Sequence, residues 1–546
     1  MKINILNKEI HKDHPISIET LIHELKLENY LAAKVNGRLR ELSYILTKDS
    51  NIELLSWDDS DALKIYESTV RFVVLMALEE LYPNVKVKIN YSISRSILVV
   101  LENYDGVIND HFVETVNNKV QELIKANIKI TRRRVSIGEA MNKYLEKGMT
   151  DKVEILKYRE EDYVNLYQAN DYFNYMFGYM LPSTRYLTSY KMFTYRPGFL
   201  IQVPRPELNG KIPEFVDEHS YGRTLREANR WGRVIQGDTI AKVNEYASKY
   251  DSSVALINIS ETRHNHQLNE LGTKIEENIE NLRLIAVAGP SSSGKTTFTT
   301  RLKIELMTRG IRPVMISIDD YYLPRDKAPR HEDGSLDLEH INALDVKRFN
   351  EDMFNLISGE EVTLPLFDFK EGKRKVGKTI KVDLDTPILI EGIHALNEIL
   401  TKSIPKHQKF KIYISPQTQL HIDNHNPISI TELRLLRRLV RDKQFRNASA
   451  EETLSMWPSV RAGEFKWIYP AQSEADYVFN SELTYEFSVL KKFATKELEE
   501  IKTDNEHFIT ANRLLKFLKY FKDIDTKNVP CNSILREFIG GSSFHV

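Results

Sequence analysis

The chain has 546 residues, 41% of them hydrophobic and 28% charged, a composition typical of a globular protein with about three to five domains. The 76 lysines and arginines nearly balance the 77 aspartates and glutamates, and the net charge of −1 excludes a general attraction to nucleic acid or anionic membranes. A single cysteine, Cys531, excludes an internal disulfide and any zinc cluster built on cysteines. The longest apolar run, residues 72–78, is far shorter than the ~20 residues of a membrane-spanning helix, and the N-terminus has no apolar signal core. We therefore expect a cytoplasmic protein with no membrane partner.

Residues 1–65 have the pattern of a small α+β unit. In chain order we predict a strand at 1–6, a helix that Ser17 caps, a hairpin that turns at Asn36-Gly37, and a strand at 52–55.

Residues 66–270 alternate between helical and strand patterns. Helices are predicted at 70–82, 113–126, 224–234 and 268–282, and paired strands at 85–89 and 97–101. The last of these helices is polar enough to be a connector. The proline-rich segment 182–213 is predicted to be irregular or to form an edge strand.

From residue 283 onward, apolar strands alternate with helices. The strands are predicted at 284–288, 314–318, 388–390 and 411–414. This alternation indicates an α/β fold, with a parallel sheet and crossover helices.

The strongest motif is Gly289-Pro-Ser-Ser-Ser-Gly294-Lys295-Thr296, which matches the phosphate-binding loop G-x-x-x-x-G-K-[ST]. A strand precedes it and a helix follows it, so backbone N–H groups and the helix N-terminus can face phosphates. Lys295 would supply a charge near the β and γ phosphates of ATP, and the Thr296 hydroxyl would bind Mg²⁺. The alternative is an ordinary Gly/Ser turn before a core helix. The candidate ATP-binding residues are Gly289, Ser291, Ser292, Ser293, Gly294, Lys295, Thr296 and Thr297.

Two carboxylates follow neighbouring predicted strands. Asp319 comes directly after the strand at 314–318, and Glu391 follows the strand at 388–390. Ligands of open α/β sheets bind beyond the carboxyl ends of strands, so Asp319 could act as a general base and Glu391 could hold Mg²⁺. Taken alone, Asp319 could equally well be a helix cap or a turn acid, and the alternative for Glu391 is a solvated glutamate at a strand end.

An arginine-rich helix is predicted at 432–446. Its arginines recur every three to four residues and so share one face, opposite a face of leucines and valine. Such a face is often simply solvated, but beside a nucleotide it could be a lid that neutralises the transferring phosphate. The arginines are Arg434, Arg437, Arg438, Arg441 and Arg446.

Residues 283–485 resemble the uridine kinase and phosphoribulokinase family. The resemblance rests on the phosphate-binding loop and on five further segments in the same order: Ser317–Tyr322, Leu338–Asp345, Pro365–Phe369, Ile390–Ile393 and Arg437–Asp442. It implies that Asp319 is the base for the acceptor hydroxyl and that Glu391 is a second acid near Mg²⁺. It also implies that Arg438 and Arg441 are lid arginines near the phosphates, with Arg446 a further one in the ATP site.

The chain departs from the family at the acceptor side. Uridine kinases carry Asp where this chain has Glu339, Tyr where it has Phe367, and His where it has Gly372. The first of these holds the ribose hydroxyls and the other two read the pyrimidine. Glu339, Phe367 and Arg438 are therefore the candidate substrate-binding residues. We expect the pocket that binds the pyrimidine in uridine kinases to be altered in this chain.

The N-terminal part resembles the start of threonyl-tRNA synthetases. Residues 1–65 are similar to their TGS domain, a β-grasp fold, and the following segment occupies the place of their editing domain. The editing helix carries H-x-x-x-H, whereas the corresponding helix at 66–82 has no histidine. The predicted domains are a TGS-like unit at 1–65, a degenerate α+β editing-like unit at 66–270, the P-loop kinase-like unit at 280–500, and a C-terminal helical extension at 501–546.

This domain order resembles a bacterial nucleoside kinase group, whose C-terminal tail residues 532–544 also match. The sequence predicts a kinase that uses ATP and Mg²⁺ to phosphorylate a small hydroxyl compound, a nucleoside or a sugar-like alcohol. The alternative is an ATP-dependent RNA-binding or regulatory protein with the loop as a nucleotide switch. Its support is the TGS resemblance and the basic clusters Arg132-Arg133-Arg134 and Lys157 with Arg159, which more often form a solvated surface.

Overall fold

The computed structural model describes residues 1–331, 334, 336–368 and 371–544. Phe369, the last residue of one family-like segment, lies outside these ranges. Within them, no helix is both long and apolar enough to cross a membrane. The strands form three groups of sheets that follow one another along the chain.

The first group is a mixed sheet with a short helix packed across it. Its elements are β1 (Lys2–Ile5), β2 (Lys8–His11), β3 (Ile16–Ser17), α1 (Ile18–Glu24), β4 (Ala32–Val35), β5 (Arg38–Arg40), β6 (Ile45–Leu46) and β7 (Ser50–Leu55). The main sheet has the order β2-β1-β7-β4-β5, and β1 and β7 run parallel. Ser17 caps α1, and Leu21 of that helix is buried with Ile3 and Ile5. This is the predicted β-grasp arrangement.

The second group contains two antiparallel sheets and several helices. Its elements are α2 (Ser60–Leu81), β8 (Val87–Ile93), β9 (Ser96–Leu101), α3 (Asp110–Lys125), β10 (Thr131–Ser136), α4 (Ile137–Glu146), α5 (Thr150–Leu156), β11 (Tyr163–Ala169), β12 (Tyr172–Asn174), β13 (Lys191–Tyr195), β14 (Gly198–Gln202), α6 (His219–Val234), α7 (Ile240–Ala247) and α8 (Tyr250–Glu276). The sheet orders are β13-β14-β9-β8 and β10-β11-β12. Helix α2 begins at Ser60, well before the predicted residue 70, because Asp59 caps it.

The prediction for residues 182–213 is wrong in one respect. Strand β14 is not an edge strand: it lies between β13 and β9, and all five of its residues are buried. The prolines of the segment fall outside the ladder, with Pro197 in the turn before β14 and Pro204 after it. Proline is excluded from inner strands only where its missing N–H would be needed, so the apolar run between these prolines can pair on both sides.

The third group is built on a parallel sheet. Its elements are β15 (Leu284–Ala288), α9 (Lys295–Thr308), β16 (Val314–Ser317), α10 (Val346–Ile357), β17 (Val362–Asp368), β18 (Lys373–Ile380), β19 (Ile388–Glu391), β20 (Lys409–Ser415), β21 (His421–Asp423), β22 (Asn426–Pro427), α11 (Ile430–Arg446), α12 (Ala450–Gly463), β23 (Tyr477–Asn480), α13 (Glu486–Glu499), α14 (Phe508–Leu518) and α15 (Arg536–Ile539). The order β16-β19-β15-β20-β23 is parallel throughout. The predicted α/β fold class is confirmed, and the ends of β15, β16 and β19 meet at one edge of the sheet.

Helix α8 is not the short polar connector that the sequence suggested. It starts at Tyr250, and its Leu268, Leu271 and Ile275 are buried in the same core as Phe298 and Leu302 of α9. Four polar residues of α8 are buried as well, so a hydrophilic sequence does not mark an exposed helix here: Ser253, Ser260, Glu261 and His264.

A hairpin of the third group inserts into the second. It is formed by β21 and β22, and Asp423 in it makes an ion pair of 2.9 Å with Lys152 of α5. Both side chains are almost fully buried, with exposed fractions of 1% and 2%. His425 of the same hairpin lies 2.9 Å from the Asn174 side-chain amide, measured from Nδ1 to Nδ2. The two groups therefore share a buried polar interface.

Candidate active site

The loop between β15 and α9 has the shape that its glycines predict. Gly294 has φ +88°, in the left-handed region, and a side chain at Gly289 would place its Cβ 2.0 Å from the Ile414 carbonyl oxygen. Glycine is therefore required at both positions, once for the backbone angle and once for the close approach. The loop leads directly into the N-terminus of α9, where backbone N–H groups without helical partners favour anions.

Lys295 lies between this loop and a group of carboxylates. Its Nζ donates to the carbonyl oxygens of Gly289 at 3.0 Å and Pro290 at 3.2 Å. Burial raises the pKa of both Asp319 and Glu391, and the positive charge of Lys295 opposes that shift in each. The predicted cation is thus placed at the mouth of the loop, within electrostatic reach of both acids.

Asp319 and Glu391 follow β16 and β19, which are neighbours in the sheet. Burial raises the pKa of Asp319, and Lys295 opposes that shift. Burial and the negative charge of Asp319 together raise the pKa of Glu391 to about 7. The negative charge of Asp319 therefore acts directly on Glu391, as the adjacent strand ends predict.

One oxygen of this pair fits a cation. Oε2 of Glu391 is buried and has no hydrogen-bond partner among the residues described, and a hydrogen bond with Thr296 acts on the same carboxyl group. Hydroxyl and carboxylate oxygens are ligands that Mg²⁺ prefers. In the described ranges no cluster of three or more His, Cys, Asp or Glu could hold a metal, so Thr296 and Glu391 would share an ion with oxygens from outside the protein.

The arginine helix α11 differs most from the sequence-based interpretation. Arg434 and Arg437 are fully buried, so the helix does not present a solvated basic face or a mobile lid at these positions. Each is paired with a buried carboxylate, Arg434 with Glu464 and Arg437 with Glu486. These partners lie 30 and 49 residues away along the chain, so no local signal could have revealed them.

The two buried arginines hold the phosphate-binding loop from behind. Arg434 Nε donates to the Ser291 carbonyl oxygen at 3.0 Å, and Arg437 Nη1 lies 3.4 Å from the carbonyl oxygens of Ser292 and Ser293. Glu464, the partner of Arg434, also accepts the Ser291 N–H at 3.1 Å, so the loop is held on this side through both its carbonyl and N–H groups. The arginines therefore fix the loop's conformation rather than cover it.

The remaining arginines of α11 gather around one buried acid. Asp442 is fully buried and lies 3.2 Å from Arg438, 2.7 Å from Arg441 and 3.6 Å from Arg446. Arg438 Nη1 also donates to Ser291 Oγ at 2.7 Å. The structure thus brings all three predicted arginines together, and it assigns to Asp442 a positioning contact that sequence reasoning had not given it.

The acceptor side contains the altered positions. Burial, followed by the negative charge of Glu464, raises the pKa of Glu339 to about 7, while Arg438 and Lys295 lower it. The Phe367 ring lies 5.8 Å from that of Tyr322. Glu339 is therefore within electrostatic reach of the loop lysine, and Phe367 belongs to an aromatic pair next to the aspartates.

The backbone at Gly372 and the neighbouring Arg325 both disfavour a side chain at this position. Its φ is +65°, and a Cβ there would lie 2.5 Å from Nε of Arg325. The backbone N–H of Arg325 also donates to the Gly372 carbonyl oxygen at 3.3 Å. Arg325 consequently occupies the space that a side chain at position 372 would need.

Comparisons with known proteins find relatives for the region that contains this site. Residues 284–486 match the model of the Phosphoribulokinase / Uridine kinase family. The predicted resemblance of this region is thereby confirmed. Among solved structures, a possible uridine kinase from Bacillus stearothermophilus is 19% identical, covers 40% of this chain and 98% of its own, and has a TM-score of 0.28. A D-glycerate 3-kinase from Cryptococcus neoformans is 14% identical, covers 49% and 87%, and has a TM-score of 0.19.

The N-terminal part has different relatives, as predicted. A threonine–tRNA ligase from Clostridium kluyveri is 29% identical over 189 residues, which are 34% of this chain and 30% of the ligase. One from Azobacteroides pseudotrichonymphae is 27% identical over 179 residues, or 33% and 28%. The chain thus spans less than a third of the length of these curated relatives.

We expect no zinc in the region 66–230, although the ligase editing domain that it resembles carries a histidine pair. Helix α2 contains no histidine, and the histidines of this region are His111 and His219. Zinc sites need several such ligands to converge. The check is elemental analysis of purified protein, with a hydrolysis assay on mischarged tRNA. Stoichiometric zinc that disappears in a His111→Ala or His219→Ala variant would contradict the expectation.

Proposed function

We propose that the chain is a kinase that transfers the γ-phosphoryl group of ATP to a hydroxyl of a small molecule, with Mg²⁺. The observation that supports it most is the meeting of the phosphate-binding loop, Lys295, Asp319 and Glu391 at the carboxyl edge of one parallel sheet. The match of residues 284–486 to a family of kinases supports the same reading.

Each residue has a distinct task in this proposal. The loop N–H groups and Lys295 bind the phosphates, and Asp319 accepts the proton of the attacking hydroxyl. Thr296 and Glu391 would hold Mg²⁺, which would supply positive charge against the negative charge of the phosphates. Arg438, Arg441 and Arg446 add charge beside the loop, with their positions fixed by Asp442.

A base next to the loop separates this proposal from a nucleotide switch. A switch that binds RNA needs to bind and hydrolyse ATP but needs no group aimed at a second substrate. The basic cluster that favoured RNA is partly engaged within the protein, because Arg132 stacks over Tyr179 at 5.0 Å and Arg134 over Tyr163 at 4.4 Å. All three arginines of this cluster remain exposed, so it is the base next to the loop that favours the kinase.

We expect uridine and cytidine to be poor acceptors. Hydrogen bonds between a site and its substrate can discriminate against an analogue without them by about 10⁴-fold. This site lacks both groups that bind a pyrimidine, since Phe367 has no hydroxyl and Arg325 takes the space beside Gly372. Glu339 can still bind vicinal hydroxyls. The acceptor is therefore a diol with a different base or none.

The measurement is a panel of kcat/KM values for pyrimidine and purine nucleosides, free sugars and cyclitols, with the phosphorylated product identified by mass spectrometry. Glu339→Gln, which keeps the size but loses the charge, should lower kcat/KM for the best diol. If uridine or cytidine has the highest kcat/KM of the panel, the interpretation of Phe367 and Gly372 is wrong. ATP hydrolysis without any phosphorylated acceptor would favour the switch instead.

A further inference from the structure

The C-terminal tail, residues 532–544, packs directly on the phosphate-binding loop. Ile534 fills the space beside Gly294, where an added Cβ would lie 2.4 Å from Ile534 Cγ2. The Phe538 ring lies 5.0 Å from the guanidinium of Arg437, the arginine that also holds the loop carbonyls. Ile534 and Phe538 are both buried, so the tail is docked by apolar contact and not merely close.

Between these two anchors, Glu537 reaches the start of α9. Its Oε2 accepts the backbone N–H of Thr297 at 3.1 Å. Thr297 belongs to the first turn of the helix, where the N–H groups have no carbonyl partner within the helix. These are the donors that phosphates use at the end of a phosphate-binding loop.

The position of the Glu537 carboxylate is not explained by a structural ion pair. Across the described part of the chain, no lysine or arginine lies within the 4.0 Å of an ion pair with its carboxylate. Its negative charge instead acts on Glu391, another acid. What stabilises the carboxylate is the helix N-terminus, as it would a bound anion.

We propose that Glu537 occupies a phosphate position of the nucleotide site, so that docking of the tail and binding of ATP compete. The inference rests on the proposed function, because it assigns the Thr297 N–H to a nucleotide phosphate. One N–H cannot serve the carboxylate and a phosphate together, and the two negative charges repel each other. The tail is therefore an internal inhibitor that ATP displaces.

Removal of the carboxylate should strengthen nucleotide binding. Hydrogen bonds to charged groups typically matter at the level of roughly 10- to 100-fold in affinity, and we expect Glu537→Ala to tighten the Kd for a non-hydrolysable ATP analogue by at least about 10-fold. Glu537→Gln keeps an acceptor oxygen, so its Kd should lie between that of Glu537→Ala and that of the wild type. Glu506→Ala is the matched control, because Glu506 precedes α14 with an exposed side chain (82%) and should leave the Kd unchanged.

Calorimetric titration of the four full-length proteins tests the inference, together with kcat at saturating ATP. Weaker or unchanged binding by Glu537→Ala would overturn it, and so would a loss of kcat at unchanged affinity, which would make Glu537 a catalytic residue. If none of the four proteins binds the analogue, the proposed function itself fails, which is a distinct result.

Hydrogen exchange in the wild-type protein gives a second test that needs no variant. Because coupling between two binding events is reciprocal, ATP must weaken the docking of the tail. Backbone amides of residues 533–540 should exchange faster when the analogue is bound. Slower exchange there would overturn the inference even if the variants prove unstable.

Discussion

Lys295→Ala is expected to lower phosphoryl transfer about 10²–10³-fold, the usual cost of removing one preorganised electrostatic stabiliser of a transition state. The Lys295 ammonium lies against the loop carbonyls and within electrostatic reach of Asp319 and Glu391, a position that alanine leaves without a charge. ATP binding should weaken as well, because the lysine contacts the ground state too.

The measurement is steady-state turnover with the best acceptor of the panel, alongside the Kd for ATP. Lys303→Ala offers a matched control, since Lys303 lies about two turns further along α9. Near-normal turnover in Lys295→Ala would remove the basis for a phosphate-binding role of this loop.

Asp319→Asn is expected to lower turnover about 10²–10⁴-fold while leaving ATP affinity nearly intact. Asparagine has almost the same shape but cannot accept a proton. Burial raises the pKa of Asp319 towards that of the group it must deprotonate, which suits a general base.

Asp320→Asn is the control for this change. The Asp320 carboxylate accepts the Phe367 backbone N–H at 3.2 Å, and an asparagine oxygen can accept the same hydrogen bond, so this variant should cost far less. A collapse of ATP affinity in Asp319→Asn, with residual turnover unchanged, would instead identify Asp319 as a ligand of the nucleotide or its metal.

The parts of the fold that were predicted are those that neighbouring residues determine. The glycines at 289 and 294 must lie in a tight loop between a strand and a helix, and Asp319 must follow its strand to the same edge of the sheet. Such signals span a few residues, so the sequence alone is enough to locate them.

The parts that were missed depend on distant partners. A helix with five arginines looks solvated until Glu464 and Glu486 are known to pair with two of them. The contact of Glu537 with Thr297 joins residues 240 positions apart, and nothing in the tail's own sequence indicates it. The two arginines are buried charges, and such burial is tolerated only because a carboxylate from elsewhere in the chain pairs with each of them.

The buried ion pair between Lys152 and Asp423 bears on why the ligase-like part of the chain is retained. Leaving one member of a buried pair without the other typically costs about 3–5 kcal/mol, a large part of the roughly 5–15 kcal/mol that stabilises a whole domain. Loss of Lys152 would therefore also destabilise the β21–β22 hairpin of the region that matches the kinase family. Selection that acts on that region thus acts on the fold around Lys152 as well.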